Sequence, residues 1–338
     1  MDPPSGSSFV PTSLILDDDD SGMEYKTVPP PASIERSRAI EILDQPHTVR
    51  FCGAMMNILH SKPAEFTFAQ LVDGLPLAKV ASVSRALRYE EPVRNHKELC
   101  PGAMDKVRAL RDTFDPASLD LPVEVLRRYQ NIPAGSRASK LPFIELIVVA
   151  VHRLAVLIHR EGNLHKEKDP TFDQGRPFHR WSGKPYPTPF CLIHYSDPEQ
   201  YPDGVADLAG YWAENWIFGG VVVFSRGESG TECNGVWLHS CKEYTTDSLW
   251  ALTEDQVARL LGFLESNKPP DCPLPIKLER ANRRRVDPDN CIPEYNIYRD
   301  RWERKMRYPD RDSWEMLVSG RPDVEVNYPL SEGEPDLF

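Results

Sequence analysis

The 338-residue chain lacks the signatures that announce most familiar chemistries. It has no G-x-x-x-x-G-K-[ST] loop to cradle phosphates, no G-x-G-x-x-G after a strand pattern, and no H-E-x-x-H. Gly227-Glu228-Ser229-Gly230 falls short of a nucleophile elbow, because Thr231 stands where that turn needs glycine. Positive charge is in deficit: 40 Lys and Arg against 51 Asp and Glu leave a formal charge of −11, which argues against nucleic-acid binding. No uninterrupted apolar run approaches the ~18 residues of a membrane span, and the start, Met1-Asp2-Pro3-Pro4, lacks the basic and apolar regions of a signal peptide. There is no Asn-x-Ser/Thr sequon, and the seven scattered cysteines form no paired C-x-x-C framework. Reduced thiols in the cytoplasm or nucleus are therefore expected, with neither metal nor cofactor.

Proline is abundant instead, at 32 residues, which predicts many loops and short elements. Residues 1–32 read as a disordered acidic and proline-rich tail, and 319–338 as a loose C-terminal one. A single globular domain is expected over 33–318, with a sub-boundary left open in the polar stretch 163–190. Leu77, Val80, Ala81, Ser84 and Leu87 recur at helical spacing behind Pro76. Leu141 to Arg160 is apolar around most of its circumference, with Gly162 placed to stop it, and reads as a buried central helix. Its polar stripe holds Glu145, His152, Arg153, His159 and Arg160, expected to face solvent or a neighbouring loop. Cys191 to His194 reads as a short strand, and Ala206 to Ile217 as an aromatic-rich helix. The β-branched runs 219–225 and 236–241 predict an antiparallel hairpin. Thr253-Glu254-Asp255-Gln256 is a capping box opening a helix, and a further helix is expected around Tyr298 to Met306. The expected class is α+β: a mostly helical core around helix 141–160, with a small antiparallel sheet that includes the 219–241 hairpin.

Polar chemistry concentrates at that hairpin. Arg226, Glu228 and Glu232 in its loop, with His239 on the returning strand, are the candidate catalytic set: two carboxylates and an imidazole for acid–base work, an arginine to orient an anion. The bland alternative is a solvated tip. Cys191, His194, Cys233, His239 and Cys241 are residue types that hold zinc, but their spacing is poor and small buried hydrophobes are the expected role. Phe178-His179-Arg180-Trp181 and Lys184-Pro185-Tyr186 mix cations with aromatics, as a stacking surface or as packing, and Arg283 to Arg285 lie in mixed charge. In the tail, Leu14-Ile15-Leu16 followed by Asp17 to Asp20 resembles a SUMO-interacting motif. Such a segment adds as a strand to a partner's sheet edge while its acidic run meets basic residues beside the groove.

The stretch 219–240 (GGVVVFSRGESGTECNGVWLHS), with 247–264 after it, resembles uncharacterised proteins of filamentous fungi over about half the chain. That resemblance implies no fold, reaction or catalytic residue; accessory proteins of secondary metabolism are among its associations. Two readings stand. One is a non-catalytic intracellular interaction or regulatory protein that binds another protein through Leu14, Ile15, Leu16 and Asp17. The other is a small-molecule enzyme or binding protein with its site beside the hairpin.

Overall fold

The computed structural model describes residues 24–26, 33–84, 93–162, 164, 187–242, 245–268, 271–304 and 306–308. The motif Leu14–Asp17, residues 178–181 and the tail 319–338 lie outside them. Strand β1 (Glu24–Lys26) falls within the segment expected to be disordered, and its partner is found near the other end of the chain.

The N-terminal half is built from helices that begin where local chemistry satisfies their first N–H groups. After β2 (Arg36–Arg38) and the short α1 (Ala39–Ile42), Asp44 caps α2 (Gln45–Leu59) by accepting from the His47 amide. Ser61 does the same for α3 (Lys62–Asp73), which stops at Gly74 in the left-handed conformation, φ 92°. The pattern behind Pro76 gives only α4 (Ala78–Ala81) among the described residues. Helix α5 (Ala103–Thr113) follows, then β3 (Asp120–Pro122), antiparallel to β2, and α6 (Val123–Gln130).

These elements surround α7 (Lys140–Glu161), the expected central helix, whose burial leaves Phe143, Leu146, Ile147, Val151 and Ala155 at 2% exposure or less. It is long and apolar enough to cross a membrane by length and composition, but 72% of its apolar window is buried inside the protein. Gly162 ends it against α3. A Cβ there would lie 2.8 Å from the Val72 Cα, so only glycine permits the approach. The most extensive helix contact of α7 is with α8 (Val205–Phe218), which buries Trp212 and Trp216.

The hairpin forms as expected. Strand β4 (Val221–Ser225) pairs antiparallel with β5 (Gly235–His239), Val221 opposite His239 and Ser225 opposite Gly235. Strand β6 (Leu249–Ala251) extends this sheet, and Thr253 with Gln256 closes the capping box of α9 (Glu254–Glu265). Strands β7 (Arg285–Val286) and β8 (Ile297–Tyr298) complete a five-stranded antiparallel sheet in the order β7-β6-β5-β4-β8. Strand β9 (Met306–Tyr308) pairs with β1. The protein is thus α+β.

Two sequence expectations are corrected. Residues 191–194 form a turn closed by a Leu192–Tyr195 bridge. No helix spans 298–304 either. Asn296 takes φ 51°, and the amides of Arg299 and Asp300 donate to the Glu303 carboxylate, which folds the chain into a turn stabilised by a side chain.

Candidate functional site

Long side chains on α7 and α8 bring charge into the core, and the return segment after β8 supplies the countercharge. Glu145 on α7 is 1% exposed. Its two oxygens lie 2.6 Å from Arg128 Nη1, and Oε1 also accepts from Arg226 Nη2 at 2.7 Å. The rest of the Arg226 guanidinium is committed: Nε donates to the Tyr298 carbonyl, Nη2 to that of Arg299, and Nη1 to that of Glu232. Burial pushes the Glu145 carboxyl up, but the Arg226 and Arg128 charges outweigh it and hold it below the ordinary carboxylate range.

Two turns along α7, His152 lies between carboxylates of α8. Its Nδ1 is 2.6 Å from Glu214 and its Nε2 3.1 Å from Asp207. A Cβ on Gly210 would come within 2.5 Å of this ring, so the glycine in α8 makes room for it. Glu214 also accepts from Arg299 Nη1 at 2.6 Å and from the Val222 amide, joining α7, α8, β4 and the return segment. Burial opposes a charge on His152, but the bonds to Asp207 and Glu214 raise its pKa above the ordinary value, so both ring nitrogens donate. Burial likewise works against the Glu214 anion, and Arg299 and His152 hold it charged. Farther along, Arg304 Nη2 contacts Glu303 at 3.2 Å and the Cys291 sulfur at 2.8 Å. At the edge of this seam Asp203 accepts from Arg36, Arg153 and Arg160.

Against this geometry the expected hairpin set separates. Arg226 is 2% exposed and inside the seam, whereas Glu228 and Glu232 are exposed on the loop. His239 is buried at the opposite end of the hairpin, about 17 Å away along the strand, where its Nδ1 meets the Tyr195 hydroxyl at 3.0 Å. The four side chains are not brought together. The cysteine–histidine set is not brought together either. His194 stacks on His239 with ring centroids 4.6 Å apart, but among the described residues only Asp73, His96 and Cys100 form a metal-sized cluster. The polar stripe of α7 divides: Glu145 and His152 turn inward, to Arg128 and Arg226 and to the carboxylates of α8, whereas Arg153, His159 and Arg160 meet Asp203 and Thr188 in neighbouring loops, as expected. Asp207, Glu214, Arg299, Glu303 and Arg304 escaped the sequence reading. Asp207 and Glu214, carboxylates inside an otherwise apolar helix, were the available signal.

A comparison with family models, with curated proteins and with solved structures yields no match. Glu145, His152, Glu214, Arg226 and Arg299 each face an opposite charge on another element, an arrangement suited to locking α7, α8, β4 and the 299–304 segment in one relative position.

Proposed function

We propose that the chain is a non-catalytic interaction or regulatory protein of the cytoplasm or nucleus, with a rigid core that carries a partner-binding peptide at its N-terminus. The observation that carries this reading is the commitment of Arg226. Its guanidinium donates to Glu145 and to three backbone carbonyls, so the one cation of the hairpin loop placed to orient an anionic substrate holds the fold instead. His239 and His152 are similarly engaged, with Tyr195 and with two carboxylates. The hairpin enzyme reading loses its convergent site, whereas the tail motif keeps its mechanism of strand addition.

The partner class this motif fits is a SUMO-type modifier. The test is a titration of the full-length chain with purified SUMO, read by fluorescence polarisation. The Leu14→Ala, Ile15→Ala, Leu16→Ala triple variant is expected to bind at least tenfold more weakly, with an unchanged thermal midpoint. Equal binding by both chains, or none by either, overturns the tail-mediated reading.

A further inference from the structure

Away from the seam, a second set of reactive side chains meets where α3 ends and α5 begins. Asp73 is the last residue of α3, His96 follows the 3-10 turn Val93–Asn95, and Cys100 stands just before α5. One ligand atom from each, a carboxylate oxygen, an imidazole nitrogen and the thiol sulfur, lies within 4.8 Å of the other two. Asp73 is 0% exposed and His96 8%, while Cys100 is half-buried and gives the corner one accessible side.

The orientation of His96 is the informative detail. Its Nδ1 lies 3.1 Å from the Pro76 carbonyl, which only accepts, so Nδ1 carries the hydrogen. Nε2 therefore faces Asp73 Oδ2, at 3.2 Å. A neutral ring would set a lone pair against a carboxylate oxygen there, which is repulsive unless a proton or a metal ion lies between them. A ring nitrogen tied to a backbone carbonyl is also how metal-ligating histidines are held. Zinc bonds of about 2.0 Å at the tetrahedral angle place neighbouring N and O donors about 3.3 Å apart, close to the spacing found. The Cys100 amide donates to Asp73 Oδ2 at 2.9 Å and holds the carboxylate in place.

We propose that Asp73, His96 and Cys100 bind one zinc ion, with a water molecule at the fourth position. The donor set of thiolate, imidazole and carboxylate suits zinc and is too soft for magnesium or calcium. On binding, the Cys100 proton and the proton between His96 Nε2 and Asp73 both leave to solvent, and the two anionic ligands then neutralise the ion, so the buried corner gains no net charge. The ion ties the end of α3 to the entry of α5 across the Pro76–His96 stretch, and so makes the stability of the helical half depend on zinc.

The test is titration of the purified full-length protein with Co2+, followed by absorbance. One equivalent is expected to give a thiolate-to-cobalt charge-transfer band and the d–d bands of a tetrahedral ion, both abolished by Zn2+. Zn2+ at 100 times its dissociation constant should raise the thermal midpoint by roughly 5–10 °C. Cys100→Ser should lose the charge-transfer band and bind zinc at least tenfold more weakly, with unchanged circular dichroism. Cys272→Ser, at an exposed cysteine, should keep the band. Because His96→Gln is liable to unfold the corner, Cys100→Ser is the deciding variant. No charge-transfer band in the parent protein overturns the proposal and leaves an imidazolium–carboxylate pair; a band that survives Cys100→Ser also overturns it.

Discussion

His152 and His159 lie on the same side of α7, about 10.5 Å apart along its axis, and their surroundings give them different charge states. His152 meets two carboxylates of α8 and is held as a cation. His159 meets a threonine hydroxyl at 3.4 Å and the edge of Phe190; burial and the neighbouring Arg160 push its pKa down to about 4, so it stays neutral. The helix supplies both imidazoles, but the elements packed against it decide what each becomes. The middle of α7 is an ionic joint, and its last turn is an ordinary polar edge of the core.

That contrast is most severely broken by removing a carboxylate from the joint. Glu145→Ala leaves Arg226 buried without its anion, and losing one partner of a buried pair costs about 3–5 kcal/mol. The expected result is a large drop in the urea midpoint with an unchanged slope. A loss below about 1 kcal/mol would mean that Arg226 and Arg128 find other acceptors, and that the seam does not lock these elements together.

Acid and base separate the two histidines more finely. The folded pKa of His152 is raised above the ordinary 6.5, so its contribution is complete below that pH and is lost as pH rises through the folded value. His159 is depressed to about 4, so its contribution is complete above pH 6.5 and is lost as pH falls towards 4. Their joint effect is a stability that climbs between pH 4 and 6.5 and declines above it. His159→Gln should flatten the acid limb alone, and His152→Gln the alkaline limb alone, in urea midpoints measured across that range. An acid limb unaltered by His159→Gln would show that other groups control it.

Much of this architecture was legible in the sequence because local rules govern it. The apolar circumference of α7, the β-branched runs of the hairpin and the Thr253 capping box each encode their element within a few residues. The joint was not legible, because its pairs are distant in the chain. Arg226 reaches 81 residues back to Glu145, and Arg299 reaches 85 back to Glu214. A polar stripe on a helix looks the same whether solvent or another helix faces it. The mistaken helix over 298–306 has the same origin: Arg299 and Arg304 turn inward to Glu214 and Glu303, contacts that the local pattern does not encode. Asp73 and His96 likewise meet only once α3 and α5 have folded.

The smallest expected effect lies in the loop where the sequence had placed its catalytic set. Arg226 is inside the seam, whereas Glu228 and Glu232, two and six residues on, are exposed. The Glu232 backbone carbonyl, not its carboxylate, receives the Arg226 bond, and that carboxylate meets only the nearby Asn234 amide among the hydrogen bonds of the loop. The Glu228→Gln, Glu232→Gln double variant should therefore leave stability within about 0.5 kcal/mol of the parent, as surface changes usually do. Arg226→Met in the same loop should cost more than the double variant but less than Glu145→Ala, because Glu145 keeps Arg128 as a partner. If the double variant instead lost a measurable ligand or destabilised the core by more than about 1 kcal/mol, the loop would be a working site and not a solvated tip. The division between a charged interior and a passive surface would then have to be drawn through the hairpin itself.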